Sequence, residues 1–332
     1  MSTLLQLNFK PLEYTGNSLR LLDQRLLPTQ EVYVECKSAD SVIEAIQLMI
    51  IRGAPMIGIA GAWACCLASQ EIKDLSKLLE KFEQIKAARP TAVNLMKAIE
   101  RMKNTLESNG ISLLEAEAQK ITDEDVQMCL SMASHGLTIL PNKAEYSFIT
   151  HCNTGSLATA GLGTALGVLK LLHQQNKKLR VYATETRPYL QGARLTTWEL
   201  NKCGIPVTLM PDSAAAFLMK TQKIDAVFVG ADRIVANGDT ANKIGTYALA
   251  LAARANQIPF YVVAPSTSID LSLESGKQIE IEQRAKQELI EFNGKLIAPE
   301  SIDCFNPGFD ITPGELITAF ITEHGVKTKP NL

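Results

Sequence analysis

Histidine is scarce in this chain of 332 residues, and the thiols are not paired in sequence. The four histidines, at 135, 151, 173 and 324, are scattered, and the seven cysteines, at 36, 65, 66, 129, 152, 203 and 304, include no Cys-x-x-Cys pair. No local zinc spacing can be assembled from them, and the odd count argues against a disulfide framework; reduced thiols in a cytoplasmic protein are the simplest expectation. Net charge is also lacking. The 33 basic and 35 acidic residues leave −2, which gives no field for nucleic acid or an anionic membrane. The first ten residues carry no basic start followed by an apolar block, so no secretory leader is expected. Two long uncharged runs, 53–70 and 146–169, are rich in Gly, Ala, Ser or Thr rather than Leu and Ile, and read as tightly packed interior rather than membrane spans. No Gly/Ser-rich linker, repeat or low-complexity tract divides the chain.

What is present is an ordinary globular balance, 46% hydrophobic and 20% charged, in a length that suggests about two domains of ~150 residues each. Residues 12–35 hold short extended runs, with "TGNS" (15–18) as a hairpin turn. From Ser38, a candidate cap, the period becomes helical: Val42, Ile43, Ile46, Met49 and Ile50 form one stripe, and Leu95, Ile99, Met102 and Leu106 another. Beyond about residue 140, apolar strands at 147–150, 180–184, 206–210, 225–230 and 259–264 alternate with helices at 156–175, 190–203, 213–221 and 240–256. That alternation predicts a parallel sheet flanked by helices. The fold class is therefore α/β. A mainly helical N-terminal domain with a small antiparallel sheet, residues 1–135, precedes a Rossmann-like C-terminal domain, residues 136–332.

Ligands of an open parallel sheet bind beyond the carboxyl ends of its strands. The residues found there are His151 and Cys152, then Glu185, Thr186 and Arg187, then Asp212, then Asp232 and Arg233, then Ser266 and Thr267. Asp212, directly before "SAAAFLM", reads as a helix cap. For Asp232 the next helix starts several residues later, near Thr240, so function is the better reading. Gly161, Gly163 and Gly167 lie some ten residues past the strand and do not make a dinucleotide loop; they read as small residues that let a helix approach the sheet. In "IRGAP" (51–55), Gly53 suits a helix terminus, while Arg52, like Arg89 and Lys243, is either a phosphate ligand or a solvated charge.

The blocks "RGAPMIGIAGAWA" (52–64), "RPTAVNL" (89–95), "THCNTGSLATAGLGTALGVL" (150–169), "ETRPYLQGARLTTWEL" (185–200), "DSAAAFLM" (212–219) and "GADRIVANGDTANKIGTYALA" (230–250) resemble, in this order, the methylthioribose-1-phosphate isomerase family. The likeness runs over about residues 10–325. The wider group includes regulatory subunits of the translation factor eIF2B and ribose-1,5-bisphosphate isomerases. The resemblance implies a helical N-terminal part, a Rossmann-like C-terminal part and a homodimer. It implies the methionine-salvage isomerisation of 5-methylthioribose 1-phosphate, without cofactor or metal. It places catalytic roles on Cys152 and Asp232, and substrate contacts on Arg52, Gly53, Ala54, Arg89, Gln191, Asn242 and Lys243.

The substrate so implied carries phosphate on its anomeric carbon, which blocks free ring opening. An acid must protonate the ring oxygen as the C1–O bond breaks, and hydrogen must pass from C2 to C1. Asp232 is the expected acid, its pKa raised in a dry pocket from the ordinary ~3.9. Cys152 is either a thiolate base at C2 or a neutral thiol that helps keep a direct hydride shift dry. His151 is not expected to serve Cys152, because neighbours on an extended segment point to opposite faces. Rival functions are a sugar-phosphate-sensing regulatory subunit, a nicotinamide oxidoreductase, and an isomerase of ribose 1,5-bisphosphate or 5-deoxyribose 1-phosphate.

Overall fold

The computed structural model describes residues 9–328 apart from 91 and 293; the leader-free reading of the opening segment concerns residues that lie mostly outside these. The chain divides into two compact units, Met1–Ser134 with Thr154–Gln174, and His135–Asn153 with Gln175–Leu332.

In the first unit, β1 (Leu12–Tyr14), β2 (Leu19–Leu22) and β3 (Tyr33–Cys36) form an antiparallel sheet in that order. The turn predicted at "TGNS" joins β1 and β2, where Thr15 N donates to Ser18 O at 3.0 Å. Ser38 caps α1 (Ala39–Gln47) in a capping box: its hydroxyl accepts from Ser41 N, and the Ser41 hydroxyl accepts from Ser38 N. Gly53 does not close this helix, as the sequence suggested. Met49, at φ 58, turns the chain after α1, and Gly53, at φ 96, instead opens α2 (Ala54–Glu71), with Pro55 in its first turn. Helix α2 is buried on nearly every side, so it carries no single apolar stripe. Its glycines let α4 (Val93–Asn109) approach. A Cβ on Gly58 would lie 2.9 Å from Asn94 O, and one on Gly61 2.3 Å from Leu95 Cδ1. Helices α3 (Leu75–Ala87), α4 (Val93–Asn109) and α5 (Leu114–Thr138) complete the layer, and the Leu95, Ile99, Met102 and Leu106 stripe of α4 is buried as its spacing predicts.

The further elements are, in chain order, β4 (Glu145–Thr150), α6 (Ala165–Gln174), β5 (Lys178–Thr184), α7 (Thr197–Lys202), β6 (Val207–Met210), α8 (Ala215–Thr221), β7 (Ala226–Val229), β8 (Arg233–Val235), β9 (Thr240–Lys243), α9 (Thr246–Ala255), β10 (Phe260–Val263), β11 (Ile269–Asp270), the hairpin of β12 (Glu291–Phe292) and β13 (Lys295–Leu296), β14 (Phe309–Thr312), β15 (Ala319–Thr322) and β16 (Gly325–Lys327). The second unit is built on a seven-stranded sheet in the order β16-β15-β10-β7-β4-β5-β6. It is parallel apart from β16, and the five strands read from the sequence are β4, β5, β6, β7 and β10. Alternate residues serve alternate faces. Ile149, Val227, Val229, Phe260 and Val262 pack on one face with Met219 of α8 and Leu249 and Ala253 of α9. On the opposite parity Phe148, Phe228 and Tyr261 form a row, with ring centroids 5.4 and 5.2 Å apart. Apolar residues on both faces explain why these strands read as continuous apolar runs.

Two helices begin later than their sequence suggested. The segment 156–164 is a short 3-10 turn and a loop, because Gly163 takes φ 100 and folds back on Gly155. Gly161 lies against Cys129 of α5, and neither glycine is in a helix. Residues 240–243 are strand β9, paired with β8 and β14 in a small sheet ordered β11-β8-β9-β14. Four residues are too few for periodicity to report, and Gly245, at φ 103, separates the strand from α9.

The aromatic row yields a stability test. Phe228 is fully buried, so Phe228→Ala should lower the unfolding free energy of the protein by about 3–5 kcal/mol. Lys220→Ala on the exposed side of α8 should change it by less than about 0.5 kcal/mol. Urea denaturation of the two variants checks this, and equal losses would contradict the packing described.

Candidate active site

Strands β4 and β7 are neighbours. From β4 the chain winds outward through β5 and β6, and from β7 it winds the other way through β10 and β15, so the strand order reverses between them. Crevices form at such a point, outside the carboxyl ends of the strands. His151 and Cys152 leave β4 there, and Asp232 leaves β7.

Cys152 is buried, 7% exposed, and holds φ 62. A non-glycine residue in the left-handed region costs on the order of 1–3 kcal/mol and persists only where its surroundings impose it. Here they do. Its N–H donates to Thr186 Oγ1 at 2.9 Å, and its carbonyl accepts the Thr196 hydroxyl. The next residue, Asn153, donates through Nδ2 to Glu199 Oε2 at 3.0 Å. Thr186 is itself at φ 62 and fully buried. Asp212 explains that turn: its two carboxylate oxygens accept the N–H groups of Thr186 and Arg187, each at 2.7 Å. The helix-cap reading of Asp212 is thus corrected, since both of its carboxylate oxygens reach across to the N–H groups after β5.

His151 is buried with Nδ1 2.6 Å from Thr184 Oγ1 and Nε2 2.8 Å from Ile244 O. A carbonyl only accepts, so Nε2 carries the proton and Nδ1 accepts from the Thr184 hydroxyl. Burial pushes the imidazole pKa below its ordinary value, which keeps the ring neutral. Both nitrogens are committed, and no lone pair remains with which His151 can act as a base for Cys152.

The other residues of this unit gather at the same edge. Asp232 N donates to Ala241 O at 2.9 Å, which sets the β8–β9 hairpin, and with it Asn242, beside Asp232. Asn242 is buried, and its Nδ2 donates to Thr246 Oγ1 at 3.0 Å. Lys243 Nζ donates to Gly308 O at 2.9 Å and lies 4.3 Å above the Phe309 ring. Gln191 is buried, and its Oε1 has no hydrogen-bond partner among the described residues. Gly192 beside it must be glycine, since a Cβ there would lie 1.8 Å from Thr184 O. The Asp232 residue is exposed, in contrast to the dry surroundings expected for it, because it sits in the turn that leaves the sheet.

The first unit brings together its own set. Arg52 is buried, 6% exposed, directly before the N-terminus of α2, where Gly53 and Ala54 present backbone N–H groups and the positive end of an 18-residue helix. Gly53 is required twice over, by φ 96 and because a Cβ would meet Ala158 Cβ at 2.6 Å. Arg89 is half-buried just before α4. The contact of Gly58, near the start of α2, with Asn94, at the start of α4, puts the two helix N-termini together, so Arg52 and Arg89 lie at the same end of the helical layer.

Thr184, Thr196 and Asp310 carry the site without having been read from sequence. Asp310 accepts the N–H groups of Gly245 and Tyr247 at 2.7 and 3.1 Å, at the start of α9, and burial raises its carboxyl to about 6 from 3.8. The folded protein therefore holds this proton to higher pH than the unfolded chain. Its contribution to stability is fullest below about pH 4 and falls as pH rises to about 6. Asp310→Asn should remove that fall, gaining up to about 2 kcal/mol on the parent between pH 4 and 7. Urea titrations at the two pH values check this, and a constant difference would contradict the burial of the carboxyl.

Residues 50–329 match the initiation factor 2 subunit family. The chain is 49% identical to the methylthioribose-1-phosphate isomerase of Geobacter sulfurreducens, over 96% of each chain. The crystal structure of 5-methylthioribose 1-phosphate isomerase from Pyrococcus horikoshii OT3 shares 43% identity, with a TM-score of 0.91 over 97% of this chain and 92% of that one. The crystal structure of the translation initiation factor eIF-2B subunit delta from A. fulgidus shares 40% identity, with a TM-score of 0.87 over 97% of each. No helix among the described residues is long and apolar enough to cross a membrane. The chain belongs to the initiation factor 2 subunit family, and within it to the methylthioribose-1-phosphate isomerases.

Proposed function

We propose that this protein converts 5-methylthioribose 1-phosphate to 5-methylthioribulose 1-phosphate in cytoplasmic methionine salvage, as a homodimer that needs no cofactor. Asp232 acts as the general acid, and Cys152 sits at the C1/C2 hydrogen transfer. The observation that carries this reading is the departure of Cys152 and Asp232 from adjacent strands where the strand order reverses. The full-length identity to the named isomerases supports it.

In this reading the ring C1–O bond breaks, its electron pair stays on the ring oxygen, and Asp232 supplies the proton. C1 becomes electron-poor. Along the hydride route, hydrogen with its pair moves from C2 to C1 while the C2 hydroxyl returns a proton to Asp232 and becomes the ketone. Along the proton route a Cys152 thiolate takes hydrogen from C2 as a proton, leaving an enol between C1 and C2; a proton then returns from the thiol to C1 while the C2 hydroxyl gives its own to Asp232 and becomes the ketone. Arg52, Arg89 and Lys243 balance the phosphate charge, and the Gly53 and Ala54 amides add hydrogen bonds to it. Gln191 and Asn242 contact the sugar, and the open acceptor of Gln191 suits a ring hydroxyl. Because Asp232 is exposed in the chain alone, bound substrate must supply the exclusion of water and the negative charge that lift its pKa.

The likeness to the initiation-factor subunit favours one second reading, a sensor that binds a sugar phosphate without turnover. Side-by-side assays on the 5-methylthio, 5-deoxy and 5-phospho ribose 1-phosphates decide. Turnover of the first with the highest kcat/KM is expected, and binding without turnover of any would leave the sensor. Asp232→Asn should lower kcat by about 10²–10⁴-fold with the fold intact, and a variant of near-normal rate would remove Asp232 from the mechanism. Substrate deuterated at C2 separates the two routes: retention in product supports the shielded hydride shift, and washout into water supports the thiolate base.

A further inference from the structure

We propose that His151 is a positioning residue for Cys152: through the hydroxyls of Thr184 and Thr186 its neutral imidazole anchors the N–H that holds Cys152 in its left-handed turn, and it ties that turn to the Ile244 carbonyl beside Asn242 and Lys243. The inference rests on the functional reading above and deepens it.

The donors and acceptors run in one consistent direction. Cys152 N–H donates to Thr186 Oγ1 at 2.9 Å, and the Thr186 hydroxyl has Thr184 Oγ1 at 3.3 Å and Thr184 O at 3.4 Å. Thr184 Oγ1 lies 2.6 Å from His151 Nδ1, and His151 Nε2 lies 2.8 Å from Ile244 O. The acceptor-only carbonyl makes Nε2 the donor and leaves Nδ1 to accept the Thr184 hydroxyl, so the Thr186 hydroxyl donates to Thr184, to its Oγ1 or its carbonyl. None of the three side chains reaches water, at 1% exposure for His151 and Thr184 and 0% for Thr186, so solvent does not replace a deleted partner and an orphaned group carries its full cost. The ring is also packed in place, since a Cβ on Gly245 would come within 2.9 Å of His151 Cε1.

The geometry matters because φ of Cys152 aims its thiol. Relaxation from 62° to the ordinary negative range would swing Sγ away from its direction at the strand end. A displacement of about 1 Å at a reacting group costs up to about 10²-fold in rate. Thr196 holds the carbonyl of the same residue, so the turn is gripped from both sides, and the N–H side leads to a histidine.

The test uses Thr186→Val, which keeps the β-branched shape and loses only the hydroxyl, against Thr186→Ser, which keeps the hydroxyl. Thr186→Val and His151→Gln should each lower kcat by about 10–10²-fold with KM within about threefold, and Thr186→Ser should stay within about threefold of the parent. The double variant His151→Gln/Thr186→Val should be no worse than the worse single change, because both cut one chain of bonds. A second readout is independent of turnover: peptide-resolved alkylation of Cys152 by iodoacetamide, with Cys203 as internal reference, should rise by about threefold or more in Thr186→Val and not in Thr186→Ser. Should His151→Gln not fold, the Thr186 pair decides. A Thr186→Val variant with parental kcat and alkylation, a Thr186→Ser variant as impaired as Thr186→Val, or multiplicative losses in the double variant would each overturn the proposal. Absence of methylthioribose 1-phosphate turnover by the parent would overturn the functional reading alone, and the alkylation ratio would still decide the positioning.

Discussion

The backbone of Cys152 is held in a conformation that its side chain disfavours, and much of the second unit is arranged around that restraint. The N–H is bonded to Thr186 and the carbonyl to Thr196, while Asn153 is bonded to Glu199. Thr186 is itself in the left-handed region and is fastened by both oxygens of Asp212. Two disfavoured turns at the ends of neighbouring strands are thus stabilised by side chains from the segment after β5, the α7 region and the segment after β6. Strain of this kind survives only where several independent bonds oppose its release.

The sheet supplies the place, and the small second sheet supplies the partners. Parallel pairing of β4 with β7 puts their carboxyl ends side by side, and reversal of strand order opens a crevice between the following segments. The β8–β9 hairpin, fixed to Asp232 by the Ala241 carbonyl, carries Asn242 and Lys243 to that edge. Asp310 then secures the start of α9 directly behind them. These supports are short and polar, whereas the framework beneath is the aromatic row of Phe148, Phe228 and Tyr261 and the aliphatic face against α8 and α9.

The first unit works by close approach. Gly53, Gly58 and Gly61 remove side chains where α2 meets Ala158 and α4, and in doing so bring Arg52 and Arg89 to one end of the helical layer. A buried arginine beside the free amides of an 18-residue helix suits a phosphate, because charge, hydrogen-bond donors and helix dipole share one sign there.

Local pattern determined the strands and the α4 stripe through their periodicity, and the Ser38 cap and the "TGNS" turn through residue type, since each is decided by neighbours within a few residues. The ordered sequence blocks likewise identified the family, because they are long and specific. What only the tertiary structure decided depends on groups far apart in the chain. Gly53 opens a helix rather than ending one, because of the turn at Met49. Strand β9 exists because β8 and β14 flank it. Asp212 serves a turn 25 residues upstream instead of its own helix. The left-handed state of Cys152 is set by threonines 34 and 44 residues away, and no local pattern reports a conformation imposed from such a distance.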